Sequence, residues 1–321
     1  MITQADLEMA RSIVYAAMPP TPQYAWPLLA EATGCETWVK HENHTPIGAF
    51  KVRGGLVHMN LRKQRGETNG IITATRGNHG QSIAFGANRA GIPVTIVVPF
   101  GNSVEKNAAM KALGVELIEA GADFDEARDT AMRIAKERTL DFLPSFGMEL
   151  VMGVSTYAHE LFQGAGALDT VYVPIGMGSG ICGVISARDL LGFKTQVIGV
   201  VAEKAPTYWH SFEQGKPVPT NSAATFADGM AVRMAHPDAV SIIKRGAERI
   251  VQVSEEEIAE AMRIYYRTAH ALTEGAGAAA LAGLLKEKHK MRGKRVGLIL
   301  SGGNIDMDKF AIVLSGGIPQ P

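Results

Sequence analysis

The feature of this sequence that most constrains its fold is the alternation of short β-branched runs with longer helical patterns along almost the whole chain. Seven of these runs are short and largely apolar, as in parallel strands that are covered on both faces. They span residues 70–74, 94–98, 115–118, 171–174, 197–201, 250–253 and 296–300. Strands that alternate with helices predict an α/β fold with doubly wound parallel sheets, in which ligands bind at the carboxyl ends of the strands.

Two helix starts are marked by side chains that can cap backbone N–H groups. Thr3 is followed three residues later by Asp6, and Ser254 is followed at the same spacing by Glu257. This spacing is typical of a capping box, in which each side chain bonds the backbone N–H of the other residue. We therefore expect helices to begin after Thr3 and after Ser254.

Charge and cysteine content exclude several classes of function. Lysine plus arginine equals aspartate plus glutamate, 32 each, so the net charge is zero. Such a chain lacks the basic footprint of a nucleic-acid binder or of a protein that docks on anionic membranes. Cys35 and Cys182 are too far apart for a metal-binding pair and suit a reducing compartment. With no apolar core in residues 1–12 to suggest a signal peptide, we expect a cytoplasmic protein.

Two glycine-rich turns each follow a predicted strand and precede a predicted helix. The first spans residues 75–80, before a helix that we expect to begin near Gln81, and its free N–H groups suit a carboxylate. The second spans residues 176–180, before a helix predicted over 181–191. Its glycines let the backbone approach a phosphate closely, and Ser179 adds a hydroxyl donor. An ordinary tight strand–helix connection would also require glycine.

The second turn also supports a rival interpretation. Gly178, Gly180 and Gly183 have the spacing G-x-G-x-x-G, and Glu203 lies about 20 residues further on, like the ribose-binding acid of a dinucleotide fold. Taken alone, this pattern predicts a nicotinamide-dependent oxidoreductase. No other nucleotide signal accompanies it.

One lysine has the neighbours of a reactive amine. Most lysines are solvated surface residues. Lys51, however, follows Gly48, Ala49 and Phe50 and precedes Val52. A lysine among small and apolar residues loses hydration, which lowers the pKa of its amine and makes it a usable nucleophile. A third glycine turn, residues 301–304, follows the last predicted strand and would let the backbone approach a ligand ring.

Together, these four segments resemble the serine/threonine dehydratase group of fold-type II pyridoxal-phosphate (PLP) enzymes, which includes threonine dehydratase and serine racemase. The resemblance runs from Thr21 to Asn304. It implies the tryptophan synthase β-like fold and a homodimer. It also implies a large PLP-binding domain, residues 1–66 with 148–321, and a small domain, residues 67–147, that carries the substrate-carboxylate loop.

The resemblance implies a role for each matching residue. Lys51, in the segment G-A-F-K-V-R-G, is similar to the Schiff-base lysine, and Phe50 would pack beside the cofactor ring. Asn78 would bond the phenolic oxygen of PLP, Glu274 would lie near the cofactor, and Ser301 would face the pyridine nitrogen. The phosphate would rest on the second turn, formed by Gly176, Met177, Gly178, Ser179 and Gly180. The substrate carboxylate would be bound by Thr75, Gly77 and His79, with Arg76 beside them.

The chain departs from this family at two positions. Arg76 replaces the serine that acts as an acid and base in the racemase, so we do not expect racemisation. The arginine could bind a second substrate carboxylate or point to solvent. Glu203 matches the first ligand of a divalent cation in some relatives, but Trp209 stands at the second position. We therefore predict no metal site.

The resemblance predicts that the chain eliminates water from a β-hydroxy amino acid such as threonine or serine, giving a 2-oxo acid and ammonia in amino-acid catabolism. A bulkier or acidic substrate, phenylserine or 3-hydroxyaspartate, is an alternative. The nicotinamide-dependent oxidoreductase and a non-catalytic sensor of PLP or an amino acid are the other hypotheses.

Overall fold

The strands form two separate sheets in the computed structural model, which describes residues 2–321. The strands are β1 (Gln23–Ala25), β2 (Glu36–His41), β3 (Ile71–Ala74), β4 (Val94–Val98), β5 (Glu116–Glu119), β6 (Asp141–Phe142), β7 (Thr170–Pro174), β8 (Gln196–Ala202), β9 (Arg249–Val253) and β10 (Arg295–Leu300). The larger sheet has six strands in the order β1-β2-β10-β7-β8-β9, and the smaller has four in the order β5-β4-β3-β6. Only the β1–β2 pair is antiparallel among these strands.

Helices connect the strands and cover the sheets. They are α1 (Gln4–Tyr15), α2 (Pro27–Thr33), α3 (Lys51–Gln64), α4 (Asn78–Ala90), α5 (Val104–Ala112), α6 (Phe124–Arg138), α7 (Met148–Ala165), α8 (Ser179–Leu190), α9 (Thr207–Gln214), α10 (Pro237–Gly246), α11 (Glu255–Ala269), α12 (Gly275–Lys286), α13 (Lys288–Met291) and α14 (Met307–Leu314). Both predicted capping boxes are confirmed, at Thr3 with Asp6 and at Ser254 with Glu257. None of these helices is both long and apolar enough to be a membrane span.

All seven predicted strands are present, with ends that agree to within one residue. The α/β prediction with parallel sheets is therefore confirmed. The prediction that residues 115–118 are buried was wrong, because β5 is an edge strand whose residues are exposed or only partly buried. Strands β1, β2 and β6 were not predicted from the sequence. Two of these, β1 and β6, are very short, and β2 carries buried polar side chains that hide its pattern.

The central strands of the smaller sheet, β3 and β4, could be predicted from sequence because they are buried on both faces. Every residue of β3 and β4 is buried. One face of the sheet is covered by apolar residues of α4 and α5, and the other by apolar residues of α6. Strands covered on both faces read as continuous apolar runs. The four strands of this sheet lie between residues 71 and 142, and the predicted domain boundaries at 66/67 and 147/148 stay a prediction.

The third glycine turn holds the segment that leads into α3. The backbone N–H of Phe50 donates to the carbonyl of Ser301 at 3.0 Å, and the N–H of Gly303 donates to the carbonyl of Gly48 at 2.9 Å. An isolated antiparallel bridge joins Ala49 to Gly302. These bonds place the first residue of α3, Lys51, beside the carboxyl end of β10.

A buried network of ion pairs also holds the first turn of α3 in place. The guanidinium of Arg53 donates to Glu42 at 2.7 Å and to Glu160 at 2.6 Å, and Lys40 pairs with Glu160 at 2.6 Å. The Arg53, Glu42 and Lys40 side chains are fully buried. Removing one partner of a buried pair typically costs about 3–5 kcal/mol, because the other charge is left uncompensated. The network therefore resists any displacement of the start of α3.

Helix α7 crosses α3 at a glycine. A Cβ atom placed on Gly153 would lie 2.1 Å from the carbonyl oxygen of Arg53. We expect Gly153→Ala to lower the free energy of unfolding by about 1–3 kcal/mol, because the two helix backbones must separate. Chemical denaturation monitored by circular dichroism measures this change.

Gly147, at the start of the same helix, provides the control. It precedes α7 with an extended φ of −178°, and a Cβ atom placed on it would meet no other atom within 4 Å. Gly147→Ala should therefore cost no more than about 1 kcal/mol. Equal losses for the two variants would contradict the close approach of α3 and α7.

Candidate active site

A cavity of about 450 Å³ lies beyond the carboxyl ends of β3 and β7. It is also bordered by Lys106 of α5, by the start of α6 and by the segment 221–234. The predicted site residues that line it are Lys51, Thr75, Arg76, Gly77, Asn78, His79 and Met177. The structure thus brings the reactive lysine, the first glycine turn and part of the second to one space.

Lys51 is surrounded by protein, although its side chain still opens onto this cavity. Burial lowers the pKa of its amine to about 8, against the opposing charge of Glu274. The Lys51 Nζ atom lies 4.9 Å from the centre of the Phe50 ring. A fraction of this amine is neutral near physiological pH and available as a nucleophile or base.

The second glycine turn leads into a buried helix terminus that lacks a cap. Helix α8 begins at Ser179, two residues before the predicted start at residue 181, and no side chain within residues 2–321 caps its first N–H groups. Gly178 has a φ of +100°, which favours glycine, and the hydroxyl of Tyr208 donates to the carbonyl of Met177 at 2.6 Å. A Cβ on Gly176 would lie 2.1 Å from the carbonyl of Gly229. A buried helix N-terminus without a cap requires an external partner and favours an anion.

The first glycine turn forms a second uncapped terminus. The expectation that its helix begins near Gln81 was wrong, because α4 begins at Asn78, directly after Gly77. The Thr75 hydroxyl accepts hydrogen bonds from the N–H groups of Gly77 at 2.9 Å and Gly80 at 3.3 Å, which makes the turn compact. Thr75 thus organises the turn, and the first-turn N–H groups of Asn78 and His79 remain for a carboxylate.

His79 is a buried, neutral imidazole beside these donors. Burial, together with the nearby charges of Lys51 and His58, lowers its pKa to about 3. Its Nε2 atom has no hydrogen-bond partner within residues 2–321. The side chain therefore adds no charge to the carboxylate turn.

Phe50, next to Lys51, and Ser301 are joined by a backbone hydrogen bond. The Phe50 ring packs edge to face against Tyr157, with ring centres 6.0 Å apart. A Cβ on Gly180 would lie 3.7 Å from the Phe50 ring, so this ring lies between Lys51 and the second turn. Ser301 is buried at the carboxyl end of β10, where its carbonyl accepts the N–H of Phe50.

Glu274 and Asn78 are brought into direct contact. The Asn78 Nδ2 atom donates to Glu274 Oε1 at 2.8 Å. Burial raises the pKa of the Glu274 carboxyl to about 7, and the positive charge of Lys106 opposes this rise. The amide of Asn78 therefore has a carboxyl acceptor on one side and the cavity on the other.

Lys106 is a site residue for which the sequence offered no signal. Its ammonium lies 2.5 Å from Asp228 and 3.5 Å from Glu274, and only 6% of its side chain is exposed. Burial opposes its charge, but the carboxylates of Asp228 and Glu274 together raise the pKa of Lys106 above its usual value. In sequence, Lys106 stands among polar residues of a short helix and looks like a solvated surface residue.

Arg76 differs from the other arginines that line the cavity. It is exposed, and it makes no ion pair within the part of the chain that the structure describes. Arg128 pairs with Asp125 at 2.9 Å, and Arg233 pairs with both Asp123 and Asp125. The guanidinium of Arg76 thus remains available to a ligand.

The comparisons with known proteins agree with this geometry. The family described as "Pyridoxal-phosphate dependent enzyme" matches residues 14–302. The chain belongs to this family. Its cofactor is pyridoxal 5′-phosphate, which confirms the prediction from the sequence.

Three similar proteins illustrate the relationship. An L-threonine ammonia-lyase from Thermotoga maritima is 32% identical over 99% of this chain and 79% of its own length. An L-threo-3-hydroxyaspartate ammonia-lyase from Saccharomyces cerevisiae is 29% identical over 98% of this chain and 97% of its own length. The structure of threonine deaminase isoform 2 from Solanum lycopersicum has a TM-score of 0.89 and 27% identity, and the match covers 97% of this chain and 92% of that one. The predicted fold-type II architecture is confirmed.

The residues present fit this cofactor. The uncapped terminus of α8 suits its phosphate, and the buried amine of Lys51 suits its aldehyde. Gly176 and Gly178 leave no room for a side chain in the second turn. A PLP-dependent enzyme thus accounts for the glycines that suggested a dinucleotide. Gly183 serves a different purpose, since a Cβ there would lie 2.9 Å from Val154 of α7.

Glu203 takes part in a surface ion cluster. The Lys286 ammonium bonds Glu203 at 3.1 Å and Glu257 at 2.9 Å. The acid of the suggested dinucleotide fingerprint is therefore engaged by a lysine. No group of three or more histidine, cysteine or acidic side chains within residues 2–321 is arranged to hold a metal ion.

The lowered pKa of Lys51 generates a prediction for the cofactor-free protein. Because only the neutral amine attacks the aldehyde, the rate of forming a borohydride-reducible adduct with PLP should rise with pH, with a midpoint at about 8. Stopped-flow absorbance followed by borohydride reduction and peptide mapping measures the rate and locates the adduct.

The control is Lys63→Ala, which removes an exposed lysine from the same helix. The pH profile should be unchanged in this variant. A midpoint near the ordinary lysine value of about 10.4, or an adduct on another lysine, would contradict the assignment.

Proposed function

We propose that this enzyme eliminates water from a β-hydroxy amino acid such as threonine or serine and yields a 2-oxo acid and ammonia. The observation that carries the proposal is the buried Lys51 amine, with a pKa lowered to about 8, in a cavity bordered by two uncapped helix N-termini. One terminus suits the cofactor phosphate and the other suits the carboxylate of an amino acid. The activity named for the relative from Thermotoga maritima supports the same reaction class.

In this proposal, each residue has a defined task. When bound, the cofactor withdraws electrons from the substrate and makes the Cα proton acidic. The Lys51 amine would hold the cofactor and would serve as the base that accepts this proton, for which a pKa near neutrality is well matched. The N–H groups of Asn78 and His79 orient the substrate carboxylate. Loss of the β-hydroxyl as water requires one proton, and hydrolysis of the remaining carbon–nitrogen bond releases ammonia.

Other residues around Lys51 would fix the position of the cofactor relative to its amine. The segment 176–180, with Met177 and Ser179 among its glycines, would bind the phosphate through backbone N–H groups. Phe50 would support the ring, and Ser301 would place a hydroxyl at the pyridine nitrogen. A hydroxyl, unlike a carboxylate, does not hold a proton on this nitrogen, which favours elimination over reactions that need a stronger electron sink.

The first test of the function is Lys51→Ala. We expect ammonia release from a panel of threonine, serine, 3-hydroxyaspartate and phenylserine to fall by at least about 10³-fold, because the variant loses both the covalent attachment point and the base. Coupled assays for ammonia and the 2-oxo acid measure the loss, and circular dichroism checks the fold.

Lys63→Ala should keep wild-type turnover. Activity of Lys51→Ala near the wild-type level would refute the role of Lys51. A wild-type protein that forms the PLP adduct but releases no ammonia from any substrate of the panel would instead support a non-catalytic sensor.

An acidic substrate, 3-hydroxyaspartate, is the second candidate. It is favoured by Arg76, an exposed arginine at the cavity that makes no ion pair within residues 2–321, while the arginines around it are paired. The name of the yeast relative, which matches this chain along nearly its whole length, supports the same substrate. Arginine binds carboxylates through two parallel hydrogen bonds.

If Arg76 binds a second carboxylate, Arg76→Ser should lower kcat/KM for 3-hydroxyaspartate by about 10- to 100-fold, the effect of losing a charge-assisted hydrogen bond. The value for threonine should change little, and so should the PLP content. Arg89→Ser, at the far end of α4 where the side chain bonds the carbonyl of Ala16, is the control. Unchanged substrate preference in Arg76→Ser would leave the arginine without a substrate role.

We further propose that the chain works as a cytoplasmic homodimer whose small domain, residues 67–147, carries the carboxylate turn. Exposed apolar side chains lie on α2, α11 and α14, which pack together: Leu28, Tyr266, Ile312 and Leu314. Exposed apolar side chains on neighbouring helices are a feature of protein interfaces, which supports contact with a second copy. The free, buried Cys35 and Cys182 suit a reducing compartment.

A further inference from the structure

A chain of hydrogen bonds runs through two asparagines, one of which, Asn78, lines the cavity. Asn304 Nδ2 lies 2.8 Å from the carbonyl oxygen of Ile47 and 2.8 Å from Oδ1 of Asn78. Asn78 Nδ2 in turn donates to Glu274 Oε1 at 2.8 Å. Asn304 ends the third glycine turn, and it does not line the cavity that Asn78 faces. Its side chain therefore acts on the site through Asn78.

The chemistry of the end groups determines the direction of this chain. A backbone carbonyl can only accept hydrogen bonds, so the Asn304 atom that faces Ile47 must be the amide nitrogen. Its second hydrogen points to Asn78, which must present its oxygen in return. The NH2 group of Asn78 then faces Oε1 of Glu274, which accepts in the ionised carboxylate and also in the acid form when the proton is on Oε2. Both neighbours thus require the same orientation of the Asn78 amide.

We propose that Asn304 is a positioning residue that holds the Asn78 amide with its NH2 group toward the cofactor. The proposal rests on the role of Asn78 as a cofactor contact in the proposed function. Glu274 takes one hydrogen of this NH2 group and leaves the other for an acceptor in the cavity, such as the phenolic oxygen of PLP. A flipped amide would present its own oxygen to that acceptor and to Glu274, and both contacts would be repulsive.

One neighbouring positive charge supports the acceptor at the Glu274 end of this chain of hydrogen bonds. Lys106 lies 3.5 Å from the second oxygen of Glu274 and bonds Asp228 at 2.5 Å. Its positive charge favours the ionised form of the Glu274 carboxyl, which burial disfavours. Glu274 alone would nevertheless leave Asn78 with a single partner. Asn304 supplies the second, and two partners on opposite ends of an amide prevent its rotation.

The test compares Asn304→Asp with Asn304→Ala. Aspartate has the shape of asparagine but only accepts hydrogen bonds, so it would favour the flipped amide of Asn78. Alanine would leave the amide free to adopt either orientation. We expect the dissociation constant of PLP to rise by about 5- to 10-fold in Asn304→Ala and by at least about 50-fold in Asn304→Asp. The visible absorption maximum of the bound cofactor should shift in the same order.

Both readouts need no substrate. Fluorescence quenching by PLP measures affinity, and thermal unfolding of the cofactor-free proteins reports on the fold. Asn43→Asp is the matched control, because Asn43 packs beside Gly303 and donates to the carbonyl of Leu272 at 2.9 Å without touching the Asn304–Asn78 chain. This control should bind PLP like the wild type, with an unshifted spectrum.

Wild-type affinity and spectrum in Asn304→Ala would overturn the proposal, even if Asn304→Asp failed to fold. An isosteric Asn304→Asp protein that binds PLP no worse than Asn304→Ala would also overturn it, because a purely structural residue predicts that order. Failure of the proposed function would show differently. The wild type would then release no ammonia, while the order of PLP affinities among the variants could still hold.

Discussion

The position of the reactive amine depends on one buried guanidinium. Arg53, two residues after Lys51, binds Glu42 and Glu160 in the interior, and its own side chain is fully buried. Removing one charged side chain from such a network costs about 3–5 kcal/mol of folding free energy, because its partner is left buried and unpaired. Because the turn at 301–303 holds the other side of the same segment, the start of α3 is restrained from both directions. The Lys51 amine is therefore held in a dehydrated position beside the cavity.

Apart from the edge strand β5, the strands that could be predicted from sequence are those with mainly apolar side chains, which favour burial without any partner elsewhere in the chain. Strands β3, β4, β7, β8, β9 and β10 carry mainly apolar side chains covered by helices, so a short apolar run suffices. Strand β2 escaped prediction because its buried Thr37, Lys40 and His41 would not be buried alone. Lys40 is compensated by Glu160, which is distant in sequence. Local periodicity contains no information about such a partner.

The same division applies to the site. Lys51 and the glycine turns were predictable, because small neighbours and a strand–turn–helix order are local features with direct physical consequences. The exact start of α4 was not, because it depends on the Thr75 hydroxyl accepting two N–H groups. Lys106 and Asn304 stand in polar surroundings in the sequence. Only the folded chain brings Lys106 to Asp228 and Asn304 to Asn78.

The same geometry suits a chain of zero net charge to two anionic groups, the phosphate of the cofactor and the carboxylate of the proposed amino-acid substrate. Two buried helix termini, at α4 and α8, direct uncompensated N–H groups at the site. The nearby carboxylate of Asp228 is paired with Lys106, and burial raises the pKa of the Glu274 carboxyl to about 7, so little negative side-chain charge opposes this field. The attraction for anions thus comes from backbone dipoles that a count of side-chain charges does not include.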